Sequence, residues 1–496
     1  MMGINPNDKR RIIMLNDIIR EREKKLESLR NAGVDPYPAQ TVRTHGIADV
    51  LLQFDEISQT GESVSVAGRL LALRDQGKII FADLEDGGGR MQVVLKDEVT
   101  ANFDLWQETL DIGDFVGVTG VVFATKRGEK SVEVREVQML SKSLLPLPDK
   151  WAGIEDEEIR LRQRYLDLII NPETRELFRK KSVFWGAVRD FLTRENFFEV
   201  ETSVLESVAG GAEAEPFRTH HNALDTDFTL RISLELQLKR LIVGGYEKIF
   251  EIGRVFRNEG IDRDHLQDFT FMECYWAYHD FRDMMALTQR MYQEVIKKTC
   301  GSLTTQWQSH AIDWSGDWPM IDYIEAFERE NGFNPLELTR EELFMKAEAL
   351  ELKPEPNLER GRLIDLIYKK TVRPKLIQPA FLVNTPILVS PLAKRSKENP
   401  DIAERFQIVA CASELGNGYS ELNDPRDQRA RFEEQMKLRA AGDAEAMPLD
   451  EDFIAALSYG MPPTTGFGMS ERVFAVLMDK PVRETVFFPL VRPKKS

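Results

Sequence analysis

Only three cysteines occur in 496 residues, Cys274, Cys300 and Cys411, and none stands in a Cys-x-x-Cys arrangement. So odd and scattered a set argues against a disulfide framework and against a zinc site built on paired thiolates, and it suits a reducing compartment. Long apolar runs are missing too: none approaches the roughly 20 residues of a membrane span. The N-terminal stretch mixes Lys9, Arg10 and Arg11 with Glu21, Glu23 and Glu27 and lacks the apolar segment of a secretory signal. The expectation is a cytoplasmic protein with no membrane partner. Positive charge is short as well. Against 82 Asp and Glu there are 66 Lys and Arg, a net charge of −16, which excludes a general nucleic-acid coating protein. A local basic contact surface remains compatible with that balance.

What is present is a globular composition, with 42% apolar and 30% charged residues. The length exceeds the roughly 250–300 residues at which one core stops growing, so more than one domain is expected. Ile12, Leu15, Ile18, Ile19, Leu26 and Leu29 recur at helical spacing over residues 10–31, which reads as an exposed amphipathic helix. Short β-type runs follow at Val64–Leu73, Ile79–Leu84, Met91–Leu95, Asp114–Val122 and Ser131–Val137, with one helical stretch near 101–110. Five strands with a helix after the third suit a small Greek-key barrel of the oligonucleotide-binding type. The same pattern also fits a barrel that binds nothing.

Leu144-Leu145-Pro146-Leu147-Pro148 reads as a stiff extended linker. Beyond it, helical patterns at 172–196 and 281–300 bracket β-type runs at 199–205, 228–232, 247–256 and 268–278, with more at 381–389, 406–411 and 419–422. This is an α+β pattern: a large antiparallel sheet flanked by helices, without regular βαβ alternation. The expected domains are an N-terminal helical extension at 1–60, the barrel at 61–145 and a larger domain at 146–496. Within the last, 301–375 reads as a helix-rich insertion or peripheral lobe.

The densest chemistry lies in Phe250-Glu251-Ile252-Gly253-Arg254-Val255-Phe256-Arg257-Asn258-Glu259-Gly260, followed after a loop by Phe269-Thr270-Phe271-Met272-Glu273-Cys274-Tyr275. A strand entering a turn puts Glu251 and Arg257 on one face. Charges on a half-buried strand are costly unless paired or bound to charged ligands. From the pattern alone, an ordinary hairpin with an ion-pair ladder is the favoured reading.

Phe-Arg-Asn-Glu-Gly, a loop, then Phe-Thr-x-x-Glu-x-Tyr resembles the second signature motif of the class II aminoacyl-tRNA synthetases. The chain looks like their bacterial-type lysyl members, in a somewhat divergent form. The resemblance runs nearly end to end, through Gly33-Val34-Asp35-Pro36-Tyr37-Pro38, Arg164-Tyr165-Leu166-Asp167-Leu168 and Thr219-His220-His221-Asn222-Ala223-Leu224-Asp225. It continues in Leu238-Lys239-Arg240-Leu241-Ile242-Val243-Gly244-Gly245, Ser390-Pro391-Leu392-Ala393-Lys394 and Gly416-Asn417-Gly418-Tyr419-Ser420-Glu421-Leu422-Asn423-Asp424-Pro425. Each match is short, and their order and spacing together are very specific.

The resemblance implies an oligonucleotide-binding barrel joined to a class II catalytic domain. It implies activation of L-lysine with ATP and transfer to the 3′ end of tRNA(Lys), with Mg2+ as the cofactor and a homodimer as the assembly. It gives Arg257 the catalytic role of bridging substrate carboxylate and α-phosphate, for which a planar guanidinium suits two oxyanions. Glu235 and Glu421 correspond to the residues holding the side-chain ammonium, with Tyr275 alongside. Glu273 corresponds to the partner of the α-ammonium, and Gly211, Asn417 and Tyr419 line the same pocket. Burying unpaired glutamates costs several kcal/mol, so such a pocket disfavours a neutral substrate.

On the ATP side it implies Phe269 stacked on adenine, Glu259 and His265 on the nucleotide, Gly468 beside it, Arg472 on phosphate, and Glu414 as a magnesium ligand. In the barrel it implies anticodon contacts by Arg74, Phe81, Gln92 and Glu136, since single-stranded bases are read by aromatic faces and polar edges.

Four positions depart from the family pattern. Ser203 follows Val200-Glu201-Thr202 where a proline is usual, in the motif that builds the dimer interface. Asp264 stands where an arginine contacts terminal phosphate, with Arg263 one residue earlier as a substitute. Gln407 replaces a second magnesium carboxylate, and Ser470 a glycine. Three other readings share parts of this pattern: a regulatory RNA- or lysine-binding homologue with an impaired ATP site, an aspartate or asparagine class II enzyme, and a lysylating paralogue that modifies protein, which would resemble the catalytic domain alone.

Overall fold

A computed structural model describes residues 9–148, 156–260, 265–440 and 446–492. It divides into two compact units, Met1–Ile170 and Asn171–Ser496.

The first unit is built on a closed five-stranded barrel with strand order β1-β2-β3-β5-β4. The strands are β1 (Ser63–Asp75), β2 (Ile79–Glu85), β3 (Arg90–Lys96), β4 (Phe115–Ala124) and β5 (Lys130–Ser141), with the helix Phe103–Thr109 between β3 and β4. Each expected strand is present, and β2 shows the alternation most cleanly. Along β2, for instance, Ile80, Ala82 and Leu84 are buried in the barrel while Phe81 and Asp83 face outward.

The N-terminal helix spans Lys9–Asn31; most of its described side chains are exposed, as expected of an amphipathic helix, but one edge docks on the barrel. Leu29 is fully buried in the barrel core. The gap in the apolar stripe is filled by Arg22, whose guanidinium donates to the carbonyls of Ile112, Ser143 and Leu145 at 2.9–3.0 Å. Satisfying backbone acceptors lets a charged residue sit in a packed seam.

The second unit carries β6 (Phe198–Glu199), β7 (Leu205–Glu206), β8 (Arg218–His221), β9 (Thr226–Leu230), β10 (Lys248–Phe256) and β11 (Asp268–Ala277). These are followed by β12 (Thr304–Trp307), β13 (His310–Asp313), β14 (Met320–Asp322), β15 (Ala380–Val383), β16 (Arg405–Ala410), β17 (Ser413–Ser420) and β18 (Thr464–Ser470). Eight of them form one sheet, ordered β14-β15-β16-β17-β18-β11-β10-β6. The six central strands are antiparallel as expected, and the two short edge strands pair parallel.

Several element bounds are corrected. Of the run 199–205 only the ends are strand, Glu199 in β6 and Leu205 in β7, and 381–389 keeps its strand only to Val383 before a short 3-10 turn. The segment 301–375 holds three helices, but also the β12–β13 hairpin and the sheet strand β14. Its apolar core is shared with Ala380, Leu382 and Val409 of the sheet.

One face of the sheet is apolar. Phe250, Met272, Cys274, Phe406, Ile408, Phe467 and Met469 pack under the helices Pro172–Arg194 and Phe281–Cys300. Period-two alternation sends the intervening residues to the opposite face, where β11 presents Phe269, Phe271, Glu273 and Tyr275. Gly416 and Gly418 of β17 lie on the apolar side. A Cβ there would stand 2.5 Å from the Phe467 ring and 2.7 Å from the Phe406 ring, respectively.

Candidate active site

The polar face of the sheet walls a cavity of about 340 Å3. Its charged residues come from separate strands and one helix. Glu273 and Tyr275 come from β11, Asn417 and Tyr419 from β17, and Glu421 from just beyond it. Glu235 opens the helix Glu235–Val243. All six line the cavity, together with Gly211 and Arg257. Thus every residue expected around lysine meets in one place.

Glu273 Oε1 accepts from Ser233 Oγ at 2.7 Å and from the Leu234 amide at 3.0 Å, and its Oε2 accepts from the Tyr275 hydroxyl at 2.8 Å. Burial and the neighbouring Glu235 carboxylate push its carboxyl up to about 7 in spite of those donors. Glu235 Oε1 accepts from the Tyr419 hydroxyl at 2.6 Å. Burial raises both tyrosine hydroxyls well above their ordinary range, so they remain donors. Burial likewise raises Glu421, whose Oε1 has no hydrogen-bond partner among the described residues.

Two glycines keep the cavity open. A Cβ on Gly466 would stand 2.3 Å from Glu421 Oε1 and 2.5 Å from the Tyr275 ring. At Gly468 it would meet the Phe271 ring at 3.0 Å.

Arg257 follows β10 and lies with its guanidinium 5.2 Å from the Phe269 ring centre, its Nε donating to the Ile232 carbonyl at 3.2 Å. Burial holds it below the ordinary arginine range, while Glu259, Glu273 and Glu414 oppose that shift. Glu251 shares its face, as expected, but not its partner. Arg231 donates to Glu251 at 2.7 Å and Thr202 bridges the two, a buried cluster that fixes the strand and does not line the cavity.

Glu259, His265, Phe269, Glu414, Gly468 and Arg472 line the remainder of the same cavity. Arg472 opens the helix Arg472–Leu477, as expected, and Glu471 just before it is fully buried and pairs with Lys181. Gln407, doubtful as a metal ligand, donates its amide to Glu414 Oε2 at 2.9 Å. Among the described residues no cluster of three or more His, Cys, Asp or Glu side chains could hold a metal ion. Arg263 and Asp264 lie outside the described residues.

The barrel brings three of its four expected residues together. Arg74 and Phe81 are cross-strand partners of β1 and β2, and Gln92 on β3 sits opposite Asp83, diagonal to Phe81. Arg74 and Arg90 flank Asp83, and Ser131 donates to Gln92 at 3.0 Å. Glu136 is exposed five residues further along β5, opposite Thr119.

The sequence reading missed Lys239 and Arg405 as site residues. Lys239 lies one helical turn after Glu235 and its ammonium reaches both Glu235 and Glu421. Arg405 donates to Asn417 Oδ1 at 2.7 Å, to the Val389 carbonyl at 2.7 Å and to Ser390 Oγ at 2.9 Å. The i, i+4 spacing from Glu235 was a usable signal for Lys239.

Comparison with known proteins places this arrangement. Residues 156–492 match the family described as tRNA synthetases class II (D, K and N), and residues 64–140 match an OB-fold nucleic acid binding domain. The chain belongs to the class II tRNA synthetases. A lysine–tRNA ligase of Moorella thermoacetica is 48% identical over 486 residues, which covers 97% of this chain and 99% of the relative. A relative of the same name from Roseiflexus sp. is 46% identical, with coverages of 97% and 99%. One from Thermoanaerobacter pseudethanolicus is 44% identical, with 97% of each chain covered.

Proposed function

We propose that this chain is a lysine–tRNA ligase, activating L-lysine with ATP to lysyl-adenylate and pyrophosphate and passing lysine to the 3′ end of tRNA(Lys). The observation that carries this reading is the burial of Glu235, Glu273 and Glu421 around one cavity with Arg257. Within the cavity, these three carboxylates grouped with one guanidinium complement a molecule with two ammonium groups and a carboxylate. An aspartate enzyme would need a cation facing the cavity where Glu235 and Glu421 stand, and the named relatives are lysine–tRNA ligases. A regulatory homologue with an impaired ATP site is less well supported, because the ATP-side residues line the same cavity.

In the proposed mechanism Glu273 takes the α-ammonium, and Glu235 and Glu421 take the side-chain ammonium. Arg257 holds the lysine carboxylate against the α-phosphate. The carboxylate oxygen forms the new bond to phosphorus as the α–β bridge breaks and pyrophosphate leaves. Holding both oxyanions on one guanidinium supplies alignment and charge neutralisation, the main needs of phosphoryl transfer. In the second step the terminal ribose hydroxyl attacks the acyl carbon and AMP departs. Phe269 offers its face to adenine, Glu259, His265 and Gly468 border the nucleotide, and Arg472 neutralises phosphate.

Glu414 would hold Mg2+, with Gln407 beside it as a neutral amide. One carboxylate plus phosphate oxygens is a sufficient set for this ion, which when bound neutralises phosphate charge.

In the barrel, Phe81, Gln92 and Arg74, with Glu136 beyond them, read the anticodon. A homodimer is supported by the β6 edge, where Phe198 and Tyr246 stack with ring centres 5.7 Å apart and both are exposed. A cytoplasmic location is supported by three cysteines without disulfides.

The test is Glu421→Gln. It should raise the KM for lysine by about 100-fold, as expected for half of a buried charge pair, with the KM for ATP unchanged. Equal loss of both in a folded variant contradicts the assignment.

A further inference from the structure

Lys239 is fully buried, and its ammonium contacts both Glu235 and Glu421. It does not line the cavity, whereas both glutamates do. The lysine therefore stands behind the carboxylates, on the side away from the substrate. Glu421 directs Oε2 toward it, and its Oε1 has no hydrogen-bond partner among the described residues.

Two carboxylates facing one substrate ammonium would leave an unmatched negative charge in a buried site, which is costly. With both carboxylates ionised and Lys239 counted, the cluster carries one net negative charge, the complement of one ammonium; burial opposes the charge on Glu421, and Lys239 and an incoming ammonium favour it. The other charged or titratable groups facing it are Glu273 and Tyr275 of β11 and Tyr419 of β17. Tyr275 and Tyr419 stay protonated, and Glu273 is tied by Ser233 and the Leu234 amide.

We propose that Lys239 is a specificity-determining positioning residue, the fixed counter-cation that sets the side-chain pocket to accept one ammonium. This rests on the reading of the cavity as a lysine site.

The charge balance makes a counter-intuitive prediction. Glu421→Gln alone leaves Glu235 and Lys239 neutralising each other, with nothing over for the substrate. Removing the lysine charge from that variant restores one net negative charge. In ATP–pyrophosphate exchange, Glu421→Gln combined with Lys239→Met should therefore recover lysine kcat/KM by about tenfold over Glu421→Gln alone. Glu421→Gln combined with Lys239→Arg, which keeps the cation, should show no recovery. A purely structural lysine would make every double variant worse than the single.

Lys239→Gln serves as a second neutral variant in case Met disturbs packing, and ATP binding with thermal melting reports folding. Failure of both neutral variants to recover lysine use overturns the proposal. Absence of lysine-dependent exchange in the unmodified enzyme would instead overturn the functional reading.

Discussion

The Gln407 side-chain amide donates to Glu414 Oε2 at 2.9 Å, across adjacent antiparallel strands β16 and β17. The contact occupies one oxygen of the carboxylate proposed to hold Mg2+ and places a neutral amide beside it. Gln407→Glu should strengthen magnesium use, lowering the Mg2+ concentration for half-maximal pyrophosphate exchange by about threefold to tenfold. An unchanged or higher requirement would show that Glu414 does not engage the ion.

Glu273 gives a pH dependence. Only its carboxylate pairs with an α-ammonium, and burial beside Glu235 sets its titration at about 7. Lysine kcat/KM should therefore rise as pH increases through about 7, falling by up to about tenfold per pH unit below it. Glu273→Gln should abolish that step. A flat wild-type profile from pH 6 to 8 would remove Glu273 from the α-ammonium site.

Glu206 tests the same physics through stability. It is mostly buried at the end of β7, with Oε1 accepting weakly from Gln237 at 3.3 Å and Oε2 unpartnered among the described residues. Burial pushes it up to about 7, against the pull of Gln237, Arg231 and Arg240. A carboxyl raised in the folded state contributes stability below its ordinary value near 4.5, and that contribution is lost as pH rises to about 7. Glu206→Gln should stabilise the chain at pH 8 by about 1–2 kcal/mol and change little at pH 5, read by thermal melting. Equal effects at both pH values would contradict it.

Much of this was legible in the sequence, and the exceptions have physical causes. The barrel strands were readable because short β-type apolar runs are separated by clear turn and helix signals. Strand β17 was read only from Tyr419, because Gly416 and Gly418 suppress strand character; the rings of Phe467 and Phe406 require them. Arg22 broke an apolar stripe and so disguised a docked helix. The residues proposed for lysine were read one by one through family resemblance, and they line one cavity. Lys239 stands behind the carboxylates, and its i, i+4 spacing from Glu235 was the one sequence signal that pointed to it.

The barrel makes a separable prediction. Phe81 is half-buried on the outer face, beside Arg74 and diagonal to Gln92. Phe81→Ala should lower the rate of tRNA charging by about 5- to 100-fold, the worth of one base–aromatic stack, and leave pyrophosphate exchange unchanged. Unchanged charging would take Phe81 out of the anticodon contact.

The central claim is that the cavity selects lysine and joins it to ATP. ATP–pyrophosphate exchange measured with each amino acid separately tests it most directly. Exchange stimulated by lysine, with the other amino acids at background, is the expected result. Exchange driven by aspartate or asparagine, or by no amino acid at all, would contradict it.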